Sequence, residues 1–216
     1  MNLETLHRNL ATTIDSSHLV KTKLPLCPQI ELYLLAADYP QDRLDQAEML
    51  SILESPAYWS FCWASGQVLA AYILAHPYEF NGQTVLDFGC GSGVVAIAAA
   101  MSGARQVIAC DIDPMALDAT RANAQLNQVN LDYLSDIAEL DVIVDIVIAA
   151  DVLYDRDNMS FLKSLPEMAR SVVVADSRVK DIELRGYHLL DCCEATTIPD
   201  LNEYKEFNDV KIYRAD

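Results

Sequence analysis

The sequence predicts an α/β fold: a doubly wound, mostly parallel sheet of seven strands whose last strand is antiparallel, preceded by an N-terminal helical extension. Three observations predict it. The apolar run 84–87 enters a loop with glycine at every second position, Gly89, Gly91 and Gly93. Short apolar runs then alternate with helix-period segments as far as Ala175, which is how strand–helix–strand units build a parallel sheet. The last two strand candidates, 186–194 and 204–213, have no helical pattern between them, so they are expected to pair antiparallel.

Residues 1–20 read as a helix that breaks into a polar joint at Thr12, Thr13, Ser16 and Ser17. Pro25 and Pro28 exclude helix from 24–28 and make it extended. Residues 30–37 are apolar, with no period that separates strand from helix. Residues 41–53 read as helical, and Pro56 marks a boundary, so an extension at 1–56 is set apart from a sheet domain at 57–216. Val68, Leu69, Tyr72 and Ile73 give helical spacing over 67–76, which Pro77 ends. In the sheet domain the strand 84–87 is followed by a helix over 94–101 and a strand over 106–111. A helix opens on Pro114 and runs to Asn127, before a short strand over 130–134. Residues 145–150 close on apolar positions, as a central parallel strand buried on both faces requires. The helix expected over 158–170 carries Pro166, a point of kink or break, and 171–175 is the fifth strand.

The chain has 216 residues, 52% of them apolar, enough for one sizeable core. Its net charge is −17, and a phosphate backbone would be repelled, since nucleic-acid binding draws on lysine and arginine. Between Asn81 and Ser160 there is no lysine, and the basic residues are Arg105, Arg121 and Arg156. Nucleic acid is therefore not an expected partner. An acidic rim attracts a basic protein segment or a cationic small molecule; plain solubility is the alternative reading of the charge. The six cysteines form no C-x-x-C pair, and Cys90 and Cys110 read as small apolar fillers. His7, His18, His76 and His188 are scattered, so no metal is expected. The first residues lack a basic region followed by an apolar one, and the apolar runs fall short of a membrane span. A cytoplasmic monomer is the expectation, with no membrane partner.

Strand, glycine loop, helix, second strand and closing acid fall in the order of a nucleotide-cofactor site on a parallel sheet. The glycines permit positive φ and close approach of a ligand to the backbone. Asp111, at the second strand's end, is suited to accept both ribose hydroxyls. Asp113 reads mainly as the cap of the helix that starts at Pro114, and Ile112 between them as a surface for an adenine face. A plain turn needs fewer than three alternating glycines. A dinucleotide site would want its third glycine one residue later, and Ser92-Gly93-Val94 does not supply it. With Asp87 ahead of it, the segment resembles motif I of class I S-adenosylmethionine (SAM) methyltransferases. That resemblance implies a Rossmann-like fold and SAM as cofactor. It also implies that Gly89 and its loop, with Gly91 and Gly93, hold the methionine end and that Asp87 turns toward the methionine amino group. Asp136, after the third strand, would lie near the adenine amine; a solvated loop acid is an equal reading.

The fourth strand ends in Ala149-Ala-Asp151-Val-Leu-Tyr154. This D-x-x-Y resembles the seven-strand protein lysine methyltransferases grouped as methyltransferase family 16. Upstream, Tyr58-Trp59-Ser-Phe-Cys-Trp63-Ala-Ser-Gly66-Gln-Val-Leu69-Ala is similar to the stretch before motif I in the electron-transfer flavoprotein β-subunit lysine methyltransferases and their bacterial relatives. Asn123 and Asn127 fit the same group. Ser65 stands where that group has a glycine, and Asp176-Ser-Arg178 matches its Asp-Pro-Gly-Arg only in part. The resemblance implies a protein substrate carrying a basic lysine segment, with the electron-transfer flavoprotein β subunit as the candidate. It implies catalytic roles for Asp151, which holds and orients the amine, and for Tyr154, which walls the lysine channel. Trp63 is expected at the cofactor or substrate, and Trp59 there or in the core. Two alternatives stay open: a small-molecule amine or heterocycle N-methyltransferase with the same site, and a SAM-binding partner subunit without catalysis.

Overall fold

The computed structural model describes residues 3–39, 46–153, 159–179, 186–201 and 203–216. Helix α1 (Leu3–Ala11), the strands β1 (Leu19–Lys23) and β2 (Glu31–Leu35), and helix α2 (Gln46–Glu54) form the N-terminal segment. A 3-10 turn at Tyr58–Ser60 leads into α3 (Ala64–Ala75) and the short α4 (Pro77–Phe80). Then follow β3 (Thr84–Phe88), α5 (Val94–Met101), β4 (Gln106–Cys110), α6 (Pro114–Leu126), β5 (Asp132–Leu134) and β6 (Val144–Ala150). The chain closes with α7 (Phe161–Met168), β7 (Ala169–Asp176), β8 (His188–Glu194) and β9 (Asp209–Ala215).

The seven strands lie in the order β5-β4-β3-β6-β7-β9-β8. Strands β3 to β7 are mutually parallel, and β9 enters antiparallel between β7 and β8. The order of winding reverses between β3 and β6, so the crevice for a ligand lies at their carboxyl ends. Side-chain alternation divides the core. Val85, Ile146, Ile148 and Val173 face α3 and α5, while Leu86, Val147, Val172 and Val174 face α7. Because both faces are covered, the strands are continuous apolar runs. Helix α5 is likewise buried from Val94 through Ala99, so its sequence carries no polar stripe. In α7 the missing N–H of Pro166 frees the carbonyl of Leu162, and the Tyr187 hydroxyl donates to that oxygen at 2.8 Å. The helix therefore runs through Pro166 and ends at Met168, so Arg170 belongs to β7 and not to the helix expected over 158–170. Among the described residues, no helix is long and apolar enough to cross a membrane.

The N-terminal segment is not simply helical. Residues 19–23 and 31–35 pair as an antiparallel hairpin, with Leu19 opposite Leu35. The joint expected to end at residue 20 leads straight into β1, and the ambiguous run 30–37 is a strand. Its edge is held by two asparagines one helical turn apart, Asn123 on α6 and Asn127 capping its C-terminus. Asn127 accepts from the Glu31 N–H at 3.0 Å and donates to the Glu31 carbonyl at 2.6 Å, imitating a neighbouring strand. Asn123, 0% exposed, accepts from the Tyr33 N–H at 2.7 Å and donates to the Ser92 carbonyl at 2.8 Å. Leu24, Ile30, Leu32 and Leu34 join the same apolar cluster as α3 and α5. The hairpin is thereby tied to the glycine loop.

Two residues expected at the ligand also serve the fold. Asp87 is 1% exposed, and its Oδ2 accepts from the Ala96 N–H at 3.0 Å, so it fastens β3 to the first turn of α5. Burial pushes its carboxyl up to about 7, and the charge of Asp111 adds to this against the Ala96 bond. Gly93 has φ +82, and a Cβ there would lie 2.7 Å from Thr120 Cγ2 and 3.1 Å from the Thr120 Cα. Its job is the close approach of α5 and α6.

Asn123→Ala leaves the Tyr33 N–H and the Ser92 carbonyl without partners, and is expected to lower unfolding free energy by about 2–4 kcal/mol in urea titration. Asp87→Asn keeps the acceptor for Ala96 and removes a charge that the fold disfavours. The folded pKa lies above the ordinary value, so the wild-type penalty is full above about pH 7 and vanishes toward the unfolded pKa near pH 4. The substitution is expected to stabilise by up to about 4 kcal/mol at pH 8 and by little at pH 4.

Candidate functional site

A cavity of about 700 Å³ opens at the carboxyl ends of β3, β4 and β6. It brings together Trp63, Gly89, Gly91, Asp111, Ile112, Asp136 and Asp151, all expected from sequence to meet a ligand. Asp87 and Gly93 are not in its wall. Tyr154 lies outside the described residues.

The glycine loop is a bend in which the N–H groups of Gly89, Cys90, Gly91 and Gly93 have partners within the fold. The N–H groups of Gly89 and Cys90 both bond to the Cys110 carbonyl, at 2.9 and 3.0 Å. Gly91, φ +51, presents its α-carbon to open space: an added Cβ meets nothing within 4 Å. Its N–H donates to Asp111 Oδ2 at 2.9 Å, and the Asp113 N–H donates to Asp111 Oδ1 at 3.0 Å. Asp111 thus clips the loop after β3 to the loop after β4. Each of its oxygens retains a lone pair, because an ionised carboxylate has about four acceptor sites. Burial raises its pKa, and the two backbone bonds oppose that. Asp113 caps α6 through the Met115 N–H at 2.8 Å. Ile112 is 87% exposed on the cavity rim. Asp136 caps the 3-10 turn Ile137–Glu139 by accepting from the Ala138 N–H at 2.8 Å.

Asp151 follows β6 and has φ +53. The left-handed region costs an L residue roughly 1–2 kcal/mol and is best tolerated by aspartate and asparagine. Its N–H donates to the Ala175 carbonyl at 3.1 Å, carrying the ladder one residue past the strand. The kink turns its carboxylate onto the start of α3: the Ser65 N–H donates to Oδ2 at 2.9 Å and the Ser65 hydroxyl to Oδ1 at 2.6 Å. The Ser177 hydroxyl stands 3.4 Å from Oδ1. Burial pushes the Asp151 carboxyl up to about 6, against the Ser65 bonds. At neutral pH it is an anion held by neutral donors.

The walls are aromatic. Trp63 donates its indole N–H to the Tyr58 carbonyl at 3.1 Å and meets the Tyr58 ring edge-on, with centroids 5.7 Å apart. Trp59 is 1% exposed and belongs to the core beneath, though it reaches the cavity wall. Phe88 and Phe161 pack together at 5.3 Å on the opposite side. Glu54, Asp111, Asp113, Asp136 and Asp151 line the space, against Arg178 as its cation. Arg178 is bound to Glu203 at 2.8 Å and stacked over Phe207. The field of such a cleft favours a cationic guest. Sequence reasoning missed Ser65, Ser177, Phe88 and Phe161. Ser65 was visible as a departure from a glycine, two residues past Trp63; nothing local announced that it would face Asp151.

The family model described as ribosomal protein L11 methyltransferase (PrmA) matches residues 71–175. The electron transfer flavoprotein beta subunit lysine methyltransferase of Homo sapiens is 38% identical over 137 residues, which are 61% of this chain and 50% of that protein. The protein of the same description from Xenopus laevis is 35% identical over 167 residues, 74% of this chain and 67% of that protein. The fold is similar to that of the T. thermophilus 16S rRNA N2 G1207 methyltransferase in complex with AdoMet and guanosine, with a TM-score of 0.60 and 13% identity over 93% of this chain and 50% of that one. At that identity the likeness concerns the fold alone. The chain spans about half the length of most of the curated relatives it matches. With 35% identity across two thirds of the Xenopus protein, and with its glycine bend, Asp111 and Asp151 gathered on one sheet edge, this chain belongs to the family of the electron transfer flavoprotein beta subunit lysine methyltransferases.

Proposed function

We propose that the protein is an S-adenosylmethionine-dependent N-methyltransferase whose acceptor is a lysine side chain of a protein. The observation that carries this reading is the kinked Asp151, whose carboxylate lines the same cavity as the glycine bend and Asp111. The residues present fit the cofactor. Asp111 keeps free lone pairs for ribose hydroxyls, Ile112 offers an exposed apolar face for the adenine, and Asp136 lies near for its amine. Gly91 leaves room for the methionine end, while Gly89, also in the cavity wall, lets the bend approach Val152, whose Cγ1 an added Cβ would meet at 2.7 Å. Asp87, whose Oδ2 is bound to α5, retains its second oxygen, Oδ1, as an acceptor for the methionine amino group. When bound, S-adenosylmethionine supplies a methyl carbon on a sulfonium that an amine nitrogen takes by in-line displacement.

The chain's own residues must then deliver a neutral amine and keep water out. A lysine ammonium titrates at about 10.4, so baring its nitrogen at pH 7 costs about 4–5 kcal/mol. Aromatic walls lower that cost by disfavouring the charged form. Asp151 pulls the other way, since a carboxylate favours the ammonium. Its part is therefore to hold and aim the amine nitrogen. Burial has also brought its own proton affinity closer to that of the amine. Tyr58, Phe88 and Phe161 would wall the acceptor side chain and exclude water, and Tyr154 is assigned to the channel wall by its place in D-x-x-Y. The net charge of −17 suits a substrate segment rich in lysine and arginine. The relatives' names make the electron transfer flavoprotein β subunit the first substrate to test.

Incubation with tritiated SAM and that β subunit, beside free lysine and small amines, is expected to label the protein. Label in small amines alone would replace this reading with the small-molecule one. Asp111→Ala is expected to weaken SAM binding at least about tenfold by calorimetry, through loss of a charged acceptor. Asp151→Asn is expected to bind SAM within about twofold of wild type and to lose about a hundredfold or more in transfer rate. Below about pH 6 wild-type turnover is expected to fall more steeply than the tenfold per pH unit set by the amine's own titration, as Asp151 takes up a proton; a slope that stays at tenfold per unit down to pH 5 would remove its charge from the mechanism.

A further inference from the structure

We infer that Ser65 is a positioning residue: its hydroxyl, together with its own N–H, fixes the Asp151 carboxylate in one orientation and holds it charged for the acceptor amine. The inference rests on the reading of Asp151 given above. Ser65 is 0% exposed and is not in the cavity wall, so it meets neither ligand directly. It nevertheless supplies two of the donors to Asp151, one for each oxygen, at 2.9 and 2.6 Å. A carboxylate gripped at both oxygens cannot turn about its last bond without losing both contacts. The backbone donor is available because Ser65 is the second residue of α3, and the first N–H groups of a helix have no partner within it. The hydroxyl has no such structural reason. Alanine or glycine at this position would keep the N–H, and α3 carries no side-chain cap of its own.

The balance at Asp151 is narrow. Around its carboxyl stand Asp176 at the end of β7, Arg178 on the loop beyond and Cys62 ahead of α3. Burial and the charge of Asp176 favour its protonation; the Ser65 hydroxyl, the Ser65 N–H and the Arg178 charge resist it. Ser177 adds a longer contact, at 3.4 Å. The outcome is a pKa of about 6, just low enough for the anion to dominate at pH 7. One hydrogen bond to a charged group is worth about one pH unit. Without the hydroxyl, Asp151 would therefore be about half protonated at neutrality and held firmly at Oδ2 alone, by the Ser65 N–H.

The test is a carboxyl titration by NMR on protein labelled with carbon-13 aspartate, the Asp151 signal being identified by its loss in Asp151→Asn. Ser65→Ala and, independently, Ser65→Gly are expected to raise the Asp151 midpoint by about one pH unit. Ser177→Ala is expected to raise it by less than half as much. SAM affinity by calorimetry should stay within about twofold, showing an intact fold and cofactor site. In transfer assays the acid limb of kcat should move up by the same interval. The deficit at pH 7 should largely recover by pH 8.5, with the KM for SAM unchanged. An unmoved midpoint in both variants, or a kcat lowered equally at every pH, would overturn the inference. A wild-type protein that transfers no methyl group at all, while the midpoint still moves, would instead overturn the proposed function and leave the Ser65 contact standing.

Discussion

Carboxylates bound by N–H and hydroxyl donors organise the working edge of this molecule. Four neighbouring parallel strands each end in an aspartate at the same edge: Asp87 on β3, Asp111 after β4, Asp151 after β6 and Asp176 closing β7. Each accepts from loop or helix-start N–H groups: Ala96 for Asp87, Gly91 and Asp113 for Asp111, Ser65 for Asp151, Arg178 and Val179 for Asp176. Burial raises the pKa of all four. The sheet thus gathers negative charge with little countercharge and fastens it with backbone dipoles. That is costly, since a buried charge is tolerated only when well bonded, and it makes this edge favourable to a cation.

The four are not equivalent. Asp87 lies beneath the loop and secures α5; Asp111 joins two loops and still faces the cavity; Asp151 is turned onto the start of α3 by a left-handed backbone, at the cavity wall. Their roles follow from which way each side chain leaves the strand end. The N-terminal segment contributes to the same edge from outside. Asn123 and Asn127 finish the free side of β2, and Asn123 also reaches the Ser92 carbonyl within the glycine bend. The hairpin is consequently part of the support of the ligand loop.

Much of the site was legible in order along the chain. Three alternating glycines, an acid after the second strand, an acid after the fourth and a Trp-containing lead into a helix all converge on one cavity. Asp113 caps α6, as its position before Pro114 implied. The structural duties of Asp87 and Gly93 were not legible, because motif spacing locates a residue at the sheet edge without saying which helix it also touches. Gly93 is needed for close contact with Thr120 of α6, some distance away along the chain. The hairpin was obscured because 30–37 is apolar on too short a span for its period to be read, and because β1 carries Lys21 and Lys23 on its solvent side. The contact between Ser65 and Asp151 joins residues far apart in sequence, and no local pattern encodes it.

Sequence by itself determined the strand and helix order, the sheet edge at which the glycine bend and the acids gather, and the acidic net charge. These rest on local properties: apolar runs, glycine freedom and net charge. Only the tertiary structure decided which acids face the cavity, which glycine gives room and which gives packing, and what holds Asp151 in place. Those depend on distances between elements distant along the chain, and burial converts such distances into changed proton affinity and fixed orientation.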